Sequence, residues 1–143
     1  MLSSADFSFQ EIEEDSEHSH VYKIDEPVYE ALTTAFGDRS PIHVDQEYAK
    51  AAGFPSCVMH GAILQGFLSH FVGMRFPGKR SLILSVNLNY LLPSFLEDEI
   101  ELTANVRRKV ETGQVVVMDV RFVNTASNAI VASGKVQVAL RNE

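Results

Sequence analysis

The hydrophobic period of this chain changes at Pro77-Gly78, and that change limits the folds open to it. Before this point, residues 61–74 are apolar around most of a helical circumference, with small residues on the remaining face. Such a helix is normally buried. After this point, apolar and polar residues alternate, as they do in strands with one buried face. The apolar helical positions are Ala62, Ile63, Leu64, Phe67, Leu68, Phe71, Val72 and Met74, and the small ones are Gly66, Ser69 and Gly73.

Four alternating segments occupy residues 82–92, 100–106, 115–123 and 130–140. Short turns such as Glu111-Thr112-Gly113 join them, so consecutive strands are predicted to be antiparallel. Their common apolar face needs a cover, and the apolar helix is the obvious one. The pattern predicts the α+β class: a curved antiparallel β-sheet wrapped around a central apolar α-helix. In the first segment the predicted core face is Leu82, Leu84, Val86, Leu88, Tyr90 and Leu92.

The N-terminal third contains local start and stop signals. Residues 1–19 are acidic and are predicted to form a mobile arm, or a short edge strand at Phe7 and Phe9. Apolar and polar residues alternate over residues 20–24, which predicts a strand there. Asp25 is predicted to cap a helix that ends at Gly37, and Asp45 a short helix over residues 46–52.

Composition excludes several classes of function. The 143 residues fit one domain, and 12 Lys+Arg against 19 Asp+Glu give a net charge of −7, which disfavours nucleic acid and anionic membranes as partners. A polyanionic ligand then needs a local basic patch, and two clusters could supply it or could simply be solvated charges. They are Arg75, Lys79 and Arg80, and Arg107, Arg108 and Lys109.

The segment before residue 7 lacks a signal peptide's basic and apolar regions, and the longest apolar run is too short for a bilayer that needs about 20 residues. Cys57 is the only cysteine, so no intrachain disulfide can form, and it is predicted to be an inert thiol. No metal-ligand spacing is present, so no metal site is expected. We expect a cytoplasmic protein.

Candidate chemistry lies in residues 37–45 and at the start of the central helix. Asp38 and His43 are five positions apart, on a loop that Pro41 restricts, and are candidates for paired proton transfer. The amide of Gly61 lies in the first helical turn, where N–H groups lack intrahelical partners and can donate to a carbonyl oxygen. The alternative is that Asp38 is a turn residue and His43 a satisfied polar group. Together, the three residues indicate a reaction on a carbonyl compound.

Asp38-Arg39-Ser40-Pro41-Ile42-His43 resembles the Asp-x-Asn-Pro-x-His signature of the MaoC-like dehydratases, the (R)-specific enoyl-CoA hydratases. Met59-His60-Gly61 resembles their second signature, and Pro77-Gly78, Leu92-Pro93 and 97–99 match the pattern further on. The resemblance covers roughly residues 26–141. It departs at Ser40, where the family has Asn, at Phe36, where a small residue is usual, and at Glu97, where Gly is common.

The resemblance implies that residues 1–143 form a single hot-dog domain, in homodimers whose sheets join edge to edge. It implies reversible addition of water to a trans-2-enoyl thioester, carried by CoA or by an acyl carrier protein, with no cofactor beyond the carrier of the substrate. Asp38, His43 and Gly61 are then the predicted catalytic residues. The predicted substrate-binding residues are Ser40, Pro41, His60 and Ser69, with a helix-capping role for His60 and a packing role for Ser69 as alternatives.

Two other functions stay open. A hot-dog thioesterase uses a carboxylate to activate water against the thioester carbonyl itself, and the pairing of Asp38 with His43 argues against it. A non-catalytic acyl-thioester-binding subunit keeps the pocket after losing the chemistry. Retention of Asp38, His43 and Gly61 together argues against that function.

Overall fold

The computed structural model describes residues 3–142. Met1 and Leu2 of the predicted arm, and the last residue of the predicted domain, Glu143, lie outside the described residues. Five strands form one antiparallel sheet in the order β1-β3-β4-β5-β2. They are β1 (Glu17–Lys23), β2 (Ser81–Tyr90), β3 (Glu99–Val110), β4 (Val115–Asn124) and β5 (Ile130–Leu140). The antiparallel prediction is confirmed.

The helices are α1 (Glu26–Phe36), α2 (Pro41–Val44), α3 (Gln46–Ala51) and α4 (Ala62–His70). The Asp25 carboxylate accepts a hydrogen bond from the Val28 amide, and Gly37 closes α1 at φ 66°. Asp45 caps α3 by accepting from two backbone amides. These three predictions are confirmed.

The central helix differs from its prediction in two ways. It is α-helical only to His70 and continues as a π-helical turn over Phe71–Arg75. Only one face of α4 is buried, through Ile63, Leu64, Phe67 and Leu68. The face that carries Gly66 and Ser69 is exposed, so the expectation of burial all round is wrong for the single chain. Side chains of one chain cover one side of α4 only.

Strand β2 corrects the predicted alternation. A register shift between Ile83 and Ser85 changes which side chains face the core. Ile83 pairs with the buried Val138, whereas Leu82 and Leu84 are 56% and 52% exposed. Strand β2 is also an edge strand, so nothing in the described chain pairs with its outer side. The simple alternation is wrong here because a bulge shifts the period by one residue.

The N-terminal segment packs against the rest of the molecule. Strand β1 begins at Glu17, before the predicted residue 20, and pairs with β3 along its whole length. Phe9 and Ile12 are each 3% exposed within the common hydrophobic cluster. Asp6 forms an isolated bridge with Gly78. With β1 on one side and β4 on the other, β3 lies inside the five-stranded sheet.

Over the described part of the chain, no helix is both long and apolar enough to cross a membrane.

Candidate active site

The loop that follows α1 carries the first motif. The Ser40 amide donates to the Asp38 carboxylate at 3.3 Å, and the His43 amide donates to the Ser40 carbonyl at 2.8 Å. Ser40 and Pro41 therefore turn the chain into α2, with His43 one turn from Asp38. Asp38, Ser40 and Pro41 are exposed, while His43 is half-buried.

The imidazole of His43 is fixed from one side. Its Nδ1–H donates to the Val58 carbonyl oxygen at 2.7 Å, an assignment that follows because a carbonyl can only accept. The Tyr29 hydroxyl donates to the His43 carbonyl at 2.8 Å, and the Val58 amide donates to the Ile42 carbonyl at 3.0 Å. The Nε2 atom of His43 is thus left as the nitrogen that can exchange a proton in the pocket.

His60 joins the two motifs. Its ring stacks on that of His43, with centroids 4.0 Å apart and planes at 28°. Its Nε2–H donates to the backbone carbonyl of Asp38 at 2.9 Å. The residue is 3% exposed, and its Nδ1 has no hydrogen-bond partner in the described structure. The His60 side chain does not cap α4, because neither ring nitrogen bonds a helix amide among the described residues, although the His60 carbonyl accepts from the Ile63 amide at 3.1 Å.

Asp38, His43 and His60 bring a carboxylate and two imidazoles close together. One donor atom from each lies within 4.8 Å of the others. Both histidines, however, already use one nitrogen in a bond to a carbonyl. This geometry suits proton transfer better than metal binding; the expected absence of a metal stays a prediction.

A pocket of about 450 Å³ opens beside His43, His60 and Gly61. Its opposite wall is mainly apolar, and Asp38 lies outside the lining, within reach of both histidines. The remaining lining residues are Ile24, Val58, Met59, Leu64, Tyr90, Leu91, Leu92, Pro93 and Ser94.

The Gly61 amide makes no hydrogen bond within residues 3–142. It therefore remains available to an oxygen atom in the pocket. A Cβ at this position would lie 3.0 Å from Cε1 of Tyr90. The Tyr90 hydroxyl in turn accepts a hydrogen bond from the Gln65 side chain at 2.8 Å. Because glycine has no Cβ, an oxygen atom can still reach this amide through the narrow space beside Tyr90.

The other predicted substrate-binding residues lie outside this pocket. Ser69 is on the exposed face of α4, and Ser40 and Pro41 are on the exposed loop. Their roles stay predictions. The residues that sequence reasoning missed include Tyr90, Leu91 and Ser94 in the wall, and Tyr29 and Val58, which hold His43. Only Leu92-Pro93 gave a signal, through its place in the family pattern, because apolar wall residues look like core residues.

Cys57 and the basic clusters do not contribute to the pocket wall. Burial raises the pKa of the Cys57 thiol, which favours its protonated, unreactive form. Lys79 and Arg80 both pair with Asp6, and hydrogen bonding to Arg80 lowers the pKa of that carboxyl. Arg107 pairs with Asp119 at 2.8 Å.

Comparison with known proteins identifies relatives in sequence and in fold. Residues 8–128 match the family model described as MaoC like domain. The (R)-specific enoyl-CoA hydratase of Aeromonas caviae is 29% identical over 103 residues, which are 72% of this chain and 76% of that protein. The (R)-specific enoyl-CoA hydratase of Rhodospirillum rubrum is 26% identical over 130 residues, 91% of this chain and 89% of that protein.

Two solved structures share the fold. The unliganded R-hydratase PhaJ1 of Pseudomonas aeruginosa superposes with a TM-score of 0.86 at 24% identity, covering 94% of this chain and 86% of that one. The (R)-hydratase of Aeromonas caviae involved in PHA biosynthesis gives 0.85 at 24% identity, covering 92% and 99%. At such identities the likeness establishes the architecture described above.

Proposed function

The chain belongs to the MaoC-like dehydratase family and has its hot-dog fold, and on that basis we propose that it is a hydro-lyase of the (R)-specific enoyl-CoA hydratase type. It adds water reversibly to a trans-2-enoyl thioester and gives a 3-hydroxyacyl thioester. The observation that carries this proposal is that His43 and Gly61 line one apolar pocket and that the Asp38 carboxylate lies within 4.8 Å of a ring nitrogen of His43.

Hydration requires one group to accept a proton from water and another to supply a proton to carbon. Water oxygen bonds to the β-carbon of the enoyl group while one of its protons passes to a base, and the α-carbon receives a proton. His43 offers Nε2, since its Nδ1–H is engaged with Val58. Asp38 offers a carboxylate within 4.8 Å of the histidine donor atoms, so the two groups can share one water between them.

Negative charge develops on the thioester oxygen during the addition. The Gly61 amide has no partner in the described chain and lies at the start of α4, where the helix dipole favours negative charge. A donor aimed at such an oxygen is typically worth 10²–10³-fold in rate. Gly61 is therefore proposed as the oxyanion donor.

The apolar wall supports an acyl chain as the bound group. Leu64, Leu91 and Leu92 offer hydrocarbon surface, and the pocket of about 450 Å³ leaves room for the acyl end of a substrate. The carrier, either CoA or an acyl carrier protein, then extends outwards, and the reaction needs proton transfer alone, with no further cofactor. A reduced cytoplasm suits a chain whose one cysteine is a buried thiol.

We propose a homodimer as the working unit. One side of edge strand β2 is unpaired in the described chain, and the strand carries exposed apolar side chains. The exposed face of α4, with its small residues, adds to this surface. Contiguous surfaces of this kind mark interaction sites. The exposed large apolar residues there are Leu82, Leu84, Val86, Tyr90, Leu91 and Leu92. Sedimentation equilibrium tests this proposal: a dimer mass is expected, and a monomer at micromolar concentration contradicts it.

Hydration of crotonyl-CoA tests the enzymatic proposal. We expect the absorbance of the conjugated enoyl thioester to fall without release of free thiol, and the product to be the (R)-3-hydroxyacyl thioester. Asp38→Asn and His43→Ala are each expected to lower kcat by about 10²–10⁴-fold, the usual contribution of a positioned proton-transfer group.

The alternative outcomes point to other functions. Free thiol release indicates a thioesterase. Binding without either signal, tested with longer, branched and carrier-protein-bound substrates, indicates an acyl-thioester-binding subunit.

A further inference from the structure

We infer that His60 is a positioning residue for the hydration, which holds Asp38 in place through the backbone carbonyl of Asp38. This inference rests on the proposed function. The bond that carries it runs from the His60 Nε2–H to the Asp38 carbonyl oxygen at 2.9 Å.

The segment that carries Asp38 has little else to hold it. Residues 38–40 are exposed, so they gain little from packing. Their other hydrogen bonds are local. The Ser40 amide donates to the Asp38 carboxylate, the Arg39 amide to the Gly37 carbonyl and the His43 amide to the Ser40 carbonyl. Among the residues that the structure describes, only the bond from His60 links residues 38–40 to a distant part of the chain.

His43 does not depend on His60 in the same way. The Val58 carbonyl holds its Nδ1–H, and the Tyr29 hydroxyl holds its backbone carbonyl. Loss of the His60 donor therefore acts on Asp38, whereas loss of the ring that stacks on His43 is common to every substitution of His60. Because the water must meet both groups at once, displacement of one of them lowers the rate of the chemical step.

The unpartnered nitrogen of His60 supports a specific need for this side chain. Its Nδ1 is buried without a hydrogen-bond partner in the described chain, which destabilises the folded state. An apolar residue would fill the space without that penalty. Packing alone therefore does not account for a histidine at position 60, whereas its Nε2–H donor does.

A matched pair of variants separates the donor from the packing. His60→Gln carries an amide nitrogen that can reach the Asp38 carbonyl, whereas His60→Met has similar length and no donor. We expect His60→Met to lower kcat for crotonyl-CoA about 10²-fold, as a displacement near 1 Å can do. His60→Gln should keep kcat within about fivefold of the wild-type value. A fivefold change in rate corresponds to the net free energy of about one ordinary hydrogen bond. Both variants replace the same pocket-lining side chain, so a change in KM should be similar in the two, and kcat is the quantity that separates them.

His18 provides the control pair. Its ring stacks on Phe76 with centroids 3.5 Å apart, and its Nε2 lies 3.2 Å from the Ser16 hydroxyl, away from the pocket. His18→Gln and His18→Met exchange the same side chains at another stacked histidine. Both should keep the wild-type kcat once the folded fraction is measured by circular dichroism.

Amide hydrogen exchange supplies a readout that needs no substrate. Peptides that cover residues 37–44 should exchange faster in His60→Met than in His60→Gln or the wild type. Wild-type kcat and wild-type exchange in a folded His60→Met protein overturn the inference and leave the hydratase proposal standing. Equal loss of kcat in both His60 variants, with unchanged exchange, also overturns it. If the wild type shows no hydration, the proposed function fails, and the positioning role fails with it.

Discussion

The central strands and the loop over residues 37–44 are held in place by different forces. In β3, Ile100, Leu102, Ala104 and Val106 are all 0% exposed, with strands on both sides. In the loop, Asp38 and its neighbours to Pro41 are exposed, and a few hydrogen bonds determine their position. Buried apolar surface stabilises the strands in proportion to its area.

This difference assigns stability and chemistry to separate parts of the molecule. A loop that buries little apolar surface can adopt the geometry that a reaction needs. The rigid sheet meanwhile provides the scaffold that positions the loop. His43, in α2, and His60, just before α4, lie between these two regions, because both side chains line the pocket. Substitutions in the two regions should therefore change different observables.

The largest expected effect on stability belongs to the sheet. Phe122 in β4 is 0% exposed, so Phe122→Ala should lower the free energy of unfolding by about 3–5 kcal/mol. The rate per folded molecule should stay close to that of the wild type. Chemical denaturation followed by circular dichroism measures the first quantity, and crotonyl-CoA hydration measures the second.

Arg121→Ala is the matched control for this substitution. Arg121 is the adjacent residue on the opposite, exposed face, and its only recorded ion pair among the described residues is a long one of 3.8 Å with Glu17. A change below about 0.5 kcal/mol is expected for it. A similar loss in both variants contradicts the assignment of stability to the buried face.

Gly61 lies directly before α4 and lines the pocket. A substitution there therefore tests whether activity can be lost while the fold stays stable. Its φ of −58° permits alanine, but the new Cβ would lie 3.0 Å from the Tyr90 ring and beside the free amide. We expect Gly61→Ala to fold normally and to lower kcat/KM at least about tenfold, because the thioester oxygen can no longer approach the donor.

The double variant Gly61→Ala/Tyr90→Ala separates two causes of that loss. If the methyl group itself blocks the amide, the double variant stays slower than Tyr90→Ala alone. Recovery to the rate of Tyr90→Ala shows instead that the displaced ring causes the loss. Wild-type activity in Gly61→Ala argues against Gly61 as the oxyanion donor.

Ser40 offers a smaller change in the loop. Its hydroxyl makes no recorded hydrogen bond among the described residues and does not cap α2. Ser40→Asn restores the residue that the family pattern has at this position, and its longer amide can add one hydrogen bond in the site. We expect kcat/KM to rise about fivefold, the value of one net hydrogen bond near 1 kcal/mol. An unchanged or lower value indicates that this chain holds its loop without the amide.

The smallest expected effect is at Glu97, in the turn before β3. Glu97 has a φ of 73°, where an L residue is strained, and its ion pair with Lys23 joins two side chains that are more than half exposed. Glu97→Gly should therefore raise the free energy of unfolding by about 0.5–1 kcal/mol, measured by denaturation.

Asn128 has a similar φ of 60° and is the comparison for Glu97. Asn tolerates this conformation better than Glu does, so Asn128→Gly should gain less. Equal gains in both variants indicate that the residue type does not matter at these turns.

Several local features were predictable because they depend on residues within one turn of one another. The cap at Asp25, the closing Gly37 and the cap at Asp45 were all found at the predicted positions. The same reasoning failed at Leu82 and Leu84, because a bulge and an edge position changed which side of β2 faces the core. Phe36, the other departure from the family pattern, is 78% exposed, so its size meets no obstacle there.

The sequence by itself determined the elements, since a period of 2 or 3.6 and a capping side chain act over a few residues. It also identified Asp38, His43 and Gly61 as a chemical group, through their types and their motifs. Only the tertiary structure decided that His60 bonds Asp38 across 22 residues and that His43 bonds Val58 across 15. Such contacts depend on where packed elements bring separate segments together, and no local pattern in the chain records that distance.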